Sequence, residues 1–351
     1  MLLCLVVVLA ALILVGAFCN VLSGALGIGI MPAFPGSEWF FFVKNYVGDL
    51  ILWLAVLAMV MMALAVLRER RLRGRLRHTY PRRRPLDDPR ICVVLTAYDD
   101  EQSIAGATLD FRSQPHVETV IVVDNNCSDG TAARAAAAGA TVVKESLQGY
   151  GHACTRGLRA ALEETDADLI VLAEGDSTFS GHDIAKMLPF LEDADLVLGN
   201  RVTPGLIDTN SQMDTFFVWG NQLGAKFVQL RFWDWRFLGR VRLSDVGCTF
   251  RAIRREALAE IIDELNVGGS HFSPHMIMVS LRKGHTIVEV PVTFWPRVGA
   301  SKGANSLPKA VGIGAAMFWH ILTFPARART ASAAVEAQGT GLETGRSSHG
   351  R

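Results

Sequence analysis

The sequence predicts an α/β domain with a largely parallel sheet, preceded by a hydrophobic helical hairpin. From about residue 90 onward, short apolar segments alternate with amphipathic or alanine-rich segments. This is the pattern of strands that are buried on both faces and of helices that cover them. The start of the chain is almost free of charge, because residues 1–36 contain no charged side chain and residues 47–67 contain only Asp49. We therefore expect a transmembrane hairpin over residues 1–67, followed by an α/β domain.

Each element of the α/β domain is predicted from its own local pattern. The strands are short, mainly apolar runs that end in polar loops, and they are expected at residues 91–96, 117–123, 140–143, 168–173 and 195–198. The helices lie between these runs and end at glycine or polar residues, and they are expected at residues 101–113, 131–139, 151–164 and 183–191. Since strands and helices alternate, successive strands should run parallel with helices on both faces of the sheet.

A basic segment follows the hydrophobic hairpin. Residues 68–90 contain ten arginines and three carboxylates, a net charge of +7, whereas the rest of the chain carries −6. A basic block directly after a transmembrane helix marks the cytoplasmic side and can contact anionic lipid headgroups. Its position favours lipid contact over nucleic-acid binding. We expect a juxtamembrane linker over residues 68–89, an integral protein of the cell membrane, a cytoplasmic α/β domain and no nucleic-acid partner.

Two later segments are predicted to be helices with large apolar surfaces. Residues 216–237 combine aromatic side chains with scattered cations, which fits one or two amphipathic helices at a membrane surface and equally a helix packed in the core. Residues 307–324 are apolar apart from Lys309 and His320, and we expect an interfacial or re-entrant helix within residues 306–325. The remaining tail, residues 326–351, is rich in Ala, Ser, Thr and Gly and is expected to be disordered.

A pair of carboxylates follows the predicted strand at residues 168–173. Glu174 and Asp176 are separated by Gly175 and come where a buried strand ends. In an open α/β sheet, ligands bind beyond the carboxyl ends of the strands. Hard oxygen ligands suit Mg²⁺ or Mn²⁺, and such ions are commonly shared between carboxylates and phosphates. The pair therefore indicates a divalent-cation site facing a diphosphate, with a solvated acidic turn as the alternative.

Polar side chains also follow the first two predicted strands. Tyr98 can stack on a flat base, and Asp100 or Asp124 can accept hydrogen bonds from a base or ribose. Asp124 ends an apolar strand and begins a polar loop, where ligand contact is expected more often than packing. Asp129 is instead expected to cap the helix that begins at Thr131.

Residues 90–305 resemble the family 2 glycosyltransferases, which have the GT-A fold. The segment at residues 96–101, T-A-Y-D-D-E, is similar to the family's P-x-Y-N-E motif, with Thr96 in place of proline. Residues 123–131, V-D-N-N-C-S-D-G-T, are similar to its V-D-D/N-x-S-x-D-G-T loop, and residues 148–153 are similar to its Gly-rich segment. Residues 174–176 fall where the D-x-D motif belongs, with Glu174 in place of the first aspartate.

Within this family, the polyprenyl-phosphate glycosyltransferases of the dolichyl-phosphate mannose synthase type are the most similar subgroup. The motifs that carry this resemblance are L-G-N-R at residues 198–201, D-V-G-C-T-F-R at 245–251, V-P-V-T-F-W-P-R at 290–297 and G-A-S-K at 299–302. The resemblance implies a GT-A domain over residues 90–305.

The resemblance also implies roles for individual residues. The nucleotide-sugar donor would contact Thr96, Tyr98, Asp100 and Asp124, and Mg²⁺ or Mn²⁺ would be held by Glu174 and Asp176. The donor or acceptor phosphates would be bound by Arg201, Arg251, Arg297 and Lys302. Asp245 would orient the acceptor, or act as a base if the acceptor is a hydroxyl. Asp176, Asp245 and Arg251 are the expected catalytic residues.

The implied activity is inverting transfer of a sugar from a nucleotide-sugar to polyprenyl phosphate at the membrane. The alternatives are transfer to a glycan or another lipid, and a non-catalytic membrane scaffold that binds nucleotide-sugar. The expected partners are the donor, the lipid-linked acceptor and membrane lipids. The sequence does not determine the sugar, the base or the oligomeric state.

Overall fold

The computed structural model describes residues 53–64, 85–208, 211, 215–233, 241–299 and 307–325. Residues 53–64 are helical and mostly exposed. Most of the expected hairpin over residues 1–67, nearly all of the basic linker, Lys302 and the tail from residue 326 lie outside the described residues. No helix within these ranges is both long enough and apolar enough to cross a membrane.

The α/β domain contains seven strands and eight α-helices in the described part of the chain. The strands are β1 (Ile91–Ala97), β2 (Val117–Asp124), β3 (Thr141–Lys144), β4 (Leu169–Glu174), β5 (Leu196–Asn200), β6 (Arg251–Arg254) and β7 (Ile287–Pro291). The helices are α1 (Ile104–Arg112), α2 (Thr131–Ala137), α3 (Tyr150–Glu164), α4 (Ile184–Leu191), α5 (Thr215–Arg231), α6 (Arg255–Ile261), α7 (Phe272–Lys283) and α8 (Leu307–Thr323).

The seven strands form one mixed sheet in the order β3-β2-β1-β4-β6-β5-β7. Strand β6 is antiparallel to both of its neighbours, and every other pair is parallel. The five strands expected from the sequence are confirmed, with ends that differ by one or two residues. Strands β6 and β7 were not predicted.

Both faces of the sheet are buried, which explains the continuous apolar strands. Every residue of β1 is buried, and alternate side chains enter two separate cores. Cys92 and Val94 lie in a core that includes residues of α3 and α7, whereas Val93 and Leu95 lie in a core that includes residues of α1 and α4. Side chains alternate across a strand, so only a strand covered on both faces needs an unbroken apolar sequence.

The register of the parallel strands brings three polar loops to one edge of the sheet. Ala97 of β1 lies opposite Asp124 of β2, and Thr96 of β1 lies opposite Glu174 of β4. The loops that follow β1, β2 and β4 therefore begin at the same level. This convergence positions the candidate site.

The apolar segment near the end of the chain forms helix α8, which packs against α5 and α7. The rings of Phe227 and Phe318 meet edge to face with centroids 5.3 Å apart. His275 Nδ1 lies 3.0 Å from His320 Nε2, which links the first turn of α7 to α8. The Arg231 guanidinium donates a 2.8 Å hydrogen bond to the carbonyl of Phe324. The two late helices expected from the sequence are confirmed, and each has one face in the protein core.

Candidate active site

A cleft with a volume of about 610 Å³ lies where the loops after β1 and β4 meet. Seven of the residues expected to form the site line it, namely Thr96, Tyr98, Asp100, Glu174, Asp176, Arg201 and Arg297. Asp124, Asp245 and Arg251 are not part of its lining, and Lys302 lies outside the described residues.

The loop after β1 supplies an exposed ring and a buried carboxylate. Tyr98 is 40% exposed at the cleft, so its ring is accessible to a flat ligand. The carbonyl of Asp100 accepts hydrogen bonds from the backbone N–H groups of Ser103 and Ile104 at the start of α1. The Asp100 side chain accepts a 3.0 Å bond from the Tyr98 N–H. Local bonds thus hold this loop in a shape that presents Tyr98.

The loop after β2 is organised by Asn125, which the sequence analysis did not single out. Its Nδ2 donates to the carbonyls of Glu145 and Leu147, and its Oδ1 accepts a 2.9 Å bond from the Gly149 N–H. Asn125 also lines the cleft. Asp124 instead accepts a 2.8 Å bond from the backbone N–H of Cys127, so it closes the turn beside the cleft. The polar loop after an apolar strand was the available signal for both residues.

The Gly-rich segment at the start of α3 lies directly against the loop that precedes α7. The N–H of Gly151 donates a 2.8 Å bond to the carbonyl of Gly268. A Cβ atom at position 151 would lie 1.9 Å from the carbonyl oxygen of Val267, which no real side chain tolerates. Glycine is therefore required here by close backbone contact.

The acidic pair lies between β4 and the loop after β1. The N–H of Gly175 donates a 2.9 Å bond to the carbonyl of Thr96, and a Cβ there would lie 2.4 Å from the side chain of Ile104. Gly175 thereby lets the two carboxylates approach β1. Asp176 is 2% exposed, and its Oδ1 accepts bonds of 3.1 and 2.6 Å from the N–H and hydroxyl of Thr178.

The carboxylates of the acidic pair lie close to each other and to the Arg297 guanidinium. Burial raises the pKa of Glu174 above its usual range, and the nearby Asp176 carboxylate raises it further. Arg297 bridges two carboxylates, with Nη2 2.8 Å from Asp100 Oδ1 and Nη1 3.3 Å from Asp176 Oδ2. Burial alone would lower the pKa of Arg297, but Asp176 and Asp100 outweigh it and raise that pKa.

The donor set fits a hard divalent cation. Asp176 Oδ2 faces the Arg297 cation, and Glu174 lines the same cleft. One other group of potential ligands, Asp99, Cys127 and Asp129, occurs among the described residues. None of those three lines the cleft. Asp129 instead accepts bonds from the N–H and hydroxyl of Thr131; it lies one residue before the N-cap position of α2, which is Gly130 and not Asp129 as expected.

Arg201 and Asp245 form a buried, two-pronged ion pair. Arg201 Nε and Nη2 lie 2.8 and 3.0 Å from the two oxygens of Asp245, which is 1% exposed. Asp245 also accepts bonds from the N–H groups of Arg201 and Gly247. Burial favours a higher pKa for Asp245, but Arg201 and these hydrogen bonds outweigh it and hold the pKa below its ordinary value. Asp245 therefore orients Arg201, which lines the cleft above the ring of Phe294.

Arg251 occupies a different place from the one expected. It is 1% exposed, and its guanidinium donates to the carbonyl of Cys248 through Nε and Nη2 and to the carbonyl of Ser273 through Nη1. These bonds join β6 to the first turn of α7. Its donors face backbone carbonyls and it does not line the cleft, so Arg251 connects these two elements and does not face a ligand in the cleft.

The lining of the cleft also contains residues that the sequence analysis missed. Phe217 of α5 and Ile313 and Met317 of α8 supply apolar surface. Thr249 also lines the cleft, and its buried hydroxyl has no hydrogen-bond partner in the described part of the chain. The cleft thus combines charged groups with an apolar wall.

The outer surfaces of α5 and α8 carry exposed aromatic side chains. Trp219 is 67% exposed and Trp319 is 70% exposed. Leu223 and Leu322 are also more than half exposed. The same two helices therefore supply the apolar wall of the cleft and an apolar external surface.

The comparisons with known proteins concern the family and the fold of this chain. Residues 92–262 match the model of "Glycosyl transferase family 2". Glycosyltransferase AglJ of Haloferax volcanii is 27% identical over 60% of this chain and 65% of its own length, so the chain spans less than two thirds of that relative. The undecaprenyl-phosphate mannosyltransferase of Micrococcus luteus is 28% identical over 62% of this chain and 89% of its own length.

A crystal structure of a mycobacterial protein has a similar fold. It is 19% identical to this chain, the match covers 69% of this chain and 76% of that one, and the TM-score is 0.50. The mixed sheet, the cleft at the ends of its parallel strands and the sequence relatives lead to one conclusion. The chain belongs to glycosyl transferase family 2 and is a glycosyltransferase.

Proposed function

We propose that the protein is a membrane-bound inverting glycosyltransferase that moves a sugar from a nucleotide-sugar to polyprenyl phosphate. The observation that carries this proposal is the composition of the cleft. Tyr98, Glu174, Asp176 and Arg297 suit a nucleoside diphosphate, whereas the apolar wall from α5 and α8 suits a lipid chain. The M. luteus relative, an undecaprenyl-phosphate mannosyltransferase by name, supports the same acceptor class.

The donor end of the cleft is the part formed by Tyr98, Glu174, Asp176 and Arg297, and it would bind the nucleotide and its diphosphate. The exposed ring of Tyr98 is available to stack on the base. Asp176 Oδ2, with Glu174, would hold Mg²⁺ or Mn²⁺, which when bound would neutralise charge on the leaving diphosphate. Arg297 lies in the same region, and its guanidinium can bind phosphate oxygens in a bidentate manner.

The acceptor end of the cleft is the part formed by Arg201, Thr249 and the apolar side chains of α5 and α8. It would bind a phosphate attached to an apolar chain. Asp245 orients Arg201 through Nε and Nη2, which use only two of the five guanidinium N–H donors. Thr249 lines the same cleft with an unpartnered hydroxyl. A buried donor without a partner is costly, so an acceptor phosphate oxygen at this hydroxyl would remove an existing penalty.

The proposed reaction is a single displacement. An oxygen of the acceptor phosphate forms a bond to the anomeric carbon of the sugar, while the bond from that carbon to the diphosphate oxygen breaks. The electron pair of the broken bond leaves with the nucleoside diphosphate. The acceptor phosphate is already anionic, so the reaction does not require Asp245 as a base, which agrees with the commitment of Asp245 to Arg201.

We also propose that the exposed aromatic surfaces of α5 and α8 lie at the membrane surface. Tryptophan is favoured where apolar lipid meets water, and Trp219 and Trp319 are both exposed.

The hairpin over residues 1–67 would anchor the chain, with the α/β domain in the cytoplasm. A cysteine introduced at Ser37, in a chain without native cysteines, should react with an impermeant reagent in intact cells. Reaction of a cysteine at Ser347 instead would reverse this topology.

The donor and the acceptor can be tested in sequence. Purified full-length protein in detergent would first be screened with a panel of nucleotide-sugars, because a ligand that binds only the folded state raises the melting temperature. Release of nucleoside diphosphate would then be measured with undecaprenyl phosphate and with undecaprenol, which lacks the phosphate. Nucleoside diphosphate should be released with undecaprenyl phosphate and not with undecaprenol. Equal release with both lipids would contradict a phosphate acceptor.

Thr249→Val tests the acceptor end with a matched control. The change removes the unpartnered hydroxyl in the cleft and should raise the KM for undecaprenyl phosphate while leaving the KM for the donor unchanged. Thr108→Val removes another buried and unpartnered hydroxyl, on α1 and away from the cleft lining, and should change neither KM. A rise in the donor KM alone would place Thr249 at the donor end.

A further inference from the structure

Arg297 is held between two acidic side chains from different loops. Its Nη2 lies 2.8 Å from Asp100 Oδ1, and its Nη1 lies 3.3 Å from Asp176 Oδ2. The Arg297 side chain is only 16% exposed, and the two carboxylates are 7% and 2% exposed. Ion pairs with so little solvent contact are only weakly screened by salt.

The Asp176 oxygen that pairs with Arg297 is the one that remains for a metal. Asp176 Oδ1 already accepts two hydrogen bonds from Thr178, at 3.1 and 2.6 Å. Asp176 Oδ2 has Arg297 Nη1 at 3.3 Å. A direct bond to Mg²⁺ is about 2.0–2.1 Å long, so the ion and the guanidinium would lie side by side at one oxygen as like charges. Asp176 Oδ2 therefore pairs well with only one of them at a time.

We propose that Arg297 serves as an internal counter-ion, which occupies the cation position at Asp176 until a nucleoside diphosphate arrives and draws its guanidinium away. Arg297 thereby makes metal binding depend on the nucleotide. This inference rests on the metal site of the proposed function and extends it, because it assigns Arg297 a role in the protein without donor. The effect is a coupling between two ligands through one side chain.

The surroundings of Arg297 favour motion of its side chain over motion of its backbone. The Trp295 N–H donates a 2.9 Å bond to the carbonyl of Thr178, and the Val298 N–H donates a 3.3 Å bond to the carbonyl of Asp176. These bonds fasten the backbone on both sides of Arg297 to the acidic segment. The guanidinium can therefore change partners by rotation about side-chain bonds.

An independent observation indicates that Arg297 is not fully satisfied in its present position. Its Nε is buried and has no hydrogen-bond partner in the described part of the chain. An unpaired buried donor costs free energy, and more so on a charged group. A diphosphate oxygen would give Nε an acceptor, which supplies part of the driving force for the change of partners.

The test is direct binding of Mn²⁺, measured by electron paramagnetic resonance on purified full-length protein in detergent. Wild type should bind Mn²⁺ weakly alone, and about tenfold or more tightly with a saturating nucleoside diphosphate, in the usual range of such couplings. Uridine and guanosine diphosphate would both be used as probes. Arg297→Met keeps much of the side-chain length without the charge, and it should bind Mn²⁺ alone about tenfold more tightly than wild type.

Three further variants separate this role from a general change of charge or stability. Arg159→Met removes the same charge from an exposed pair with Asp263, and its Mn²⁺ affinity should match wild type. Asp176→Asn placed in the Arg297→Met background should abolish the tighter binding. Melting temperatures would show that each variant is folded, and Arg297→Lys, which keeps the charge, should remain close to wild type in Mn²⁺ affinity.

The possible failures are distinguishable. If Arg297→Met binds Mn²⁺ alone no more tightly than wild type, the counter-ion role is wrong and the proposed function stands. If wild type binds Mn²⁺ equally well with and without the diphosphate, the coupling is absent and the inference is again wrong. If no variant binds Mn²⁺ under any condition, the metal site itself fails, and the inference fails with it.

Discussion

Replacing Asp245 with asparagine should destabilise the protein strongly while leaving its shape nearly unchanged. The carboxylate accepts four hydrogen bonds, three from Arg201 and one from the Gly247 N–H. Asparagine keeps one acceptor oxygen but turns the other position into a donor that faces donors. The Arg201 cation, whose side chain is 11% exposed, would then be buried without its counter-ion.

The expected cost follows from the burial of this pair. Removing one partner of a buried ion pair typically costs about 3–5 kcal/mol, because the remaining charge is left without compensation. The face of the Arg201 guanidinium still contacts the ring of Phe294, with 5.3 Å between its central carbon and the ring centroid. That contact retains part of the stabilisation, so we expect a loss of about 3 kcal/mol, at the low end of the range.

Urea unfolding of the full chain in detergent, followed by tryptophan fluorescence, measures this loss. Asp263→Asn provides a matched control, because Asp263 is 84% exposed and pairs with Arg159 at the surface. Exposed pairs contribute little, so this control should unfold like wild type. If Asp245→Asn also unfolded like wild type, the buried ion pair of Asp245 with Arg201 would not stabilise the fold as argued. If it were as stable as wild type but inactive, Asp245 would be a base and not a support for Arg201.

Three further predictions concern the donor loop, a close backbone contact and the histidines. Tyr98→Ala should raise the donor KM roughly fivefold, the equivalent of about 1 kcal/mol of lost stacking, while Tyr98→Phe keeps the donor KM of wild type. Gly151→Ala should lower the free energy of unfolding by about 1–3 kcal/mol, because its Cβ meets the Val267 carbonyl, and an unchanged urea midpoint would contradict this. Burial lowers the pKa of His275 and brings that of His320 to about 4, so below about pH 6.5 the unfolded chain binds more protons at these two histidines, and their contribution to stability should fall as the pH drops from there. Urea midpoints should therefore change more steeply toward instability from pH 6.5 to 5.5 in wild type than in His320→Asn, and an equal change in both proteins would contradict the lowered pKa of His320.

The part of the fold that could be predicted is the part that follows local patterns. Strands β1 to β5 are apolar because both faces of the sheet are covered, and that requirement is visible in the sequence. Strand β6 was missed because it begins with Arg251 and ends with Arg254, which suggest a surface segment. Both arginines are in fact buried, and the guanidinium groups of both donate to backbone carbonyls. Part of this compensation comes from the carbonyls of Ser273 and Leu191, which lie 22 and 63 positions away from the arginines they pair with, so the burial of β6 has no local signature.

The same distinction applies to the candidate site. Tyr98, Asp100, Glu174 and Asp176 were predictable because polar residues follow apolar strands, and parallel strands bring those loops to one edge. The pairing of Arg201 with Asp245 was not predictable, because 44 positions separate them and each alone suggested contact with a ligand. The sequence therefore indicated which side chains line the cleft, but it did not indicate how the buried charges pair with one another.

The cation bridge at Arg297 was also beyond the reach of sequence patterns. Asp100 and Arg297 are 197 positions apart, and they meet because the loop after β7 returns to the edge where β1 and β4 end. The mixed order of the sheet, with β6 inserted between β4 and β5, sets the path of that return.

Identification of the product tests directly whether the protein transfers a sugar to polyprenyl phosphate. Full-length protein would be incubated with a radiolabelled nucleotide-sugar, undecaprenyl phosphate and Mg²⁺ or Mn²⁺, and the lipid would be extracted into organic solvent. The label should enter the lipid as a sugar phosphodiester, chelation of the metal should prevent this, and folded Asp176→Ala should form essentially no labelled lipid. Label that reaches undecaprenol equally well, or Asp176→Ala that transfers at a near-normal rate, would contradict the account.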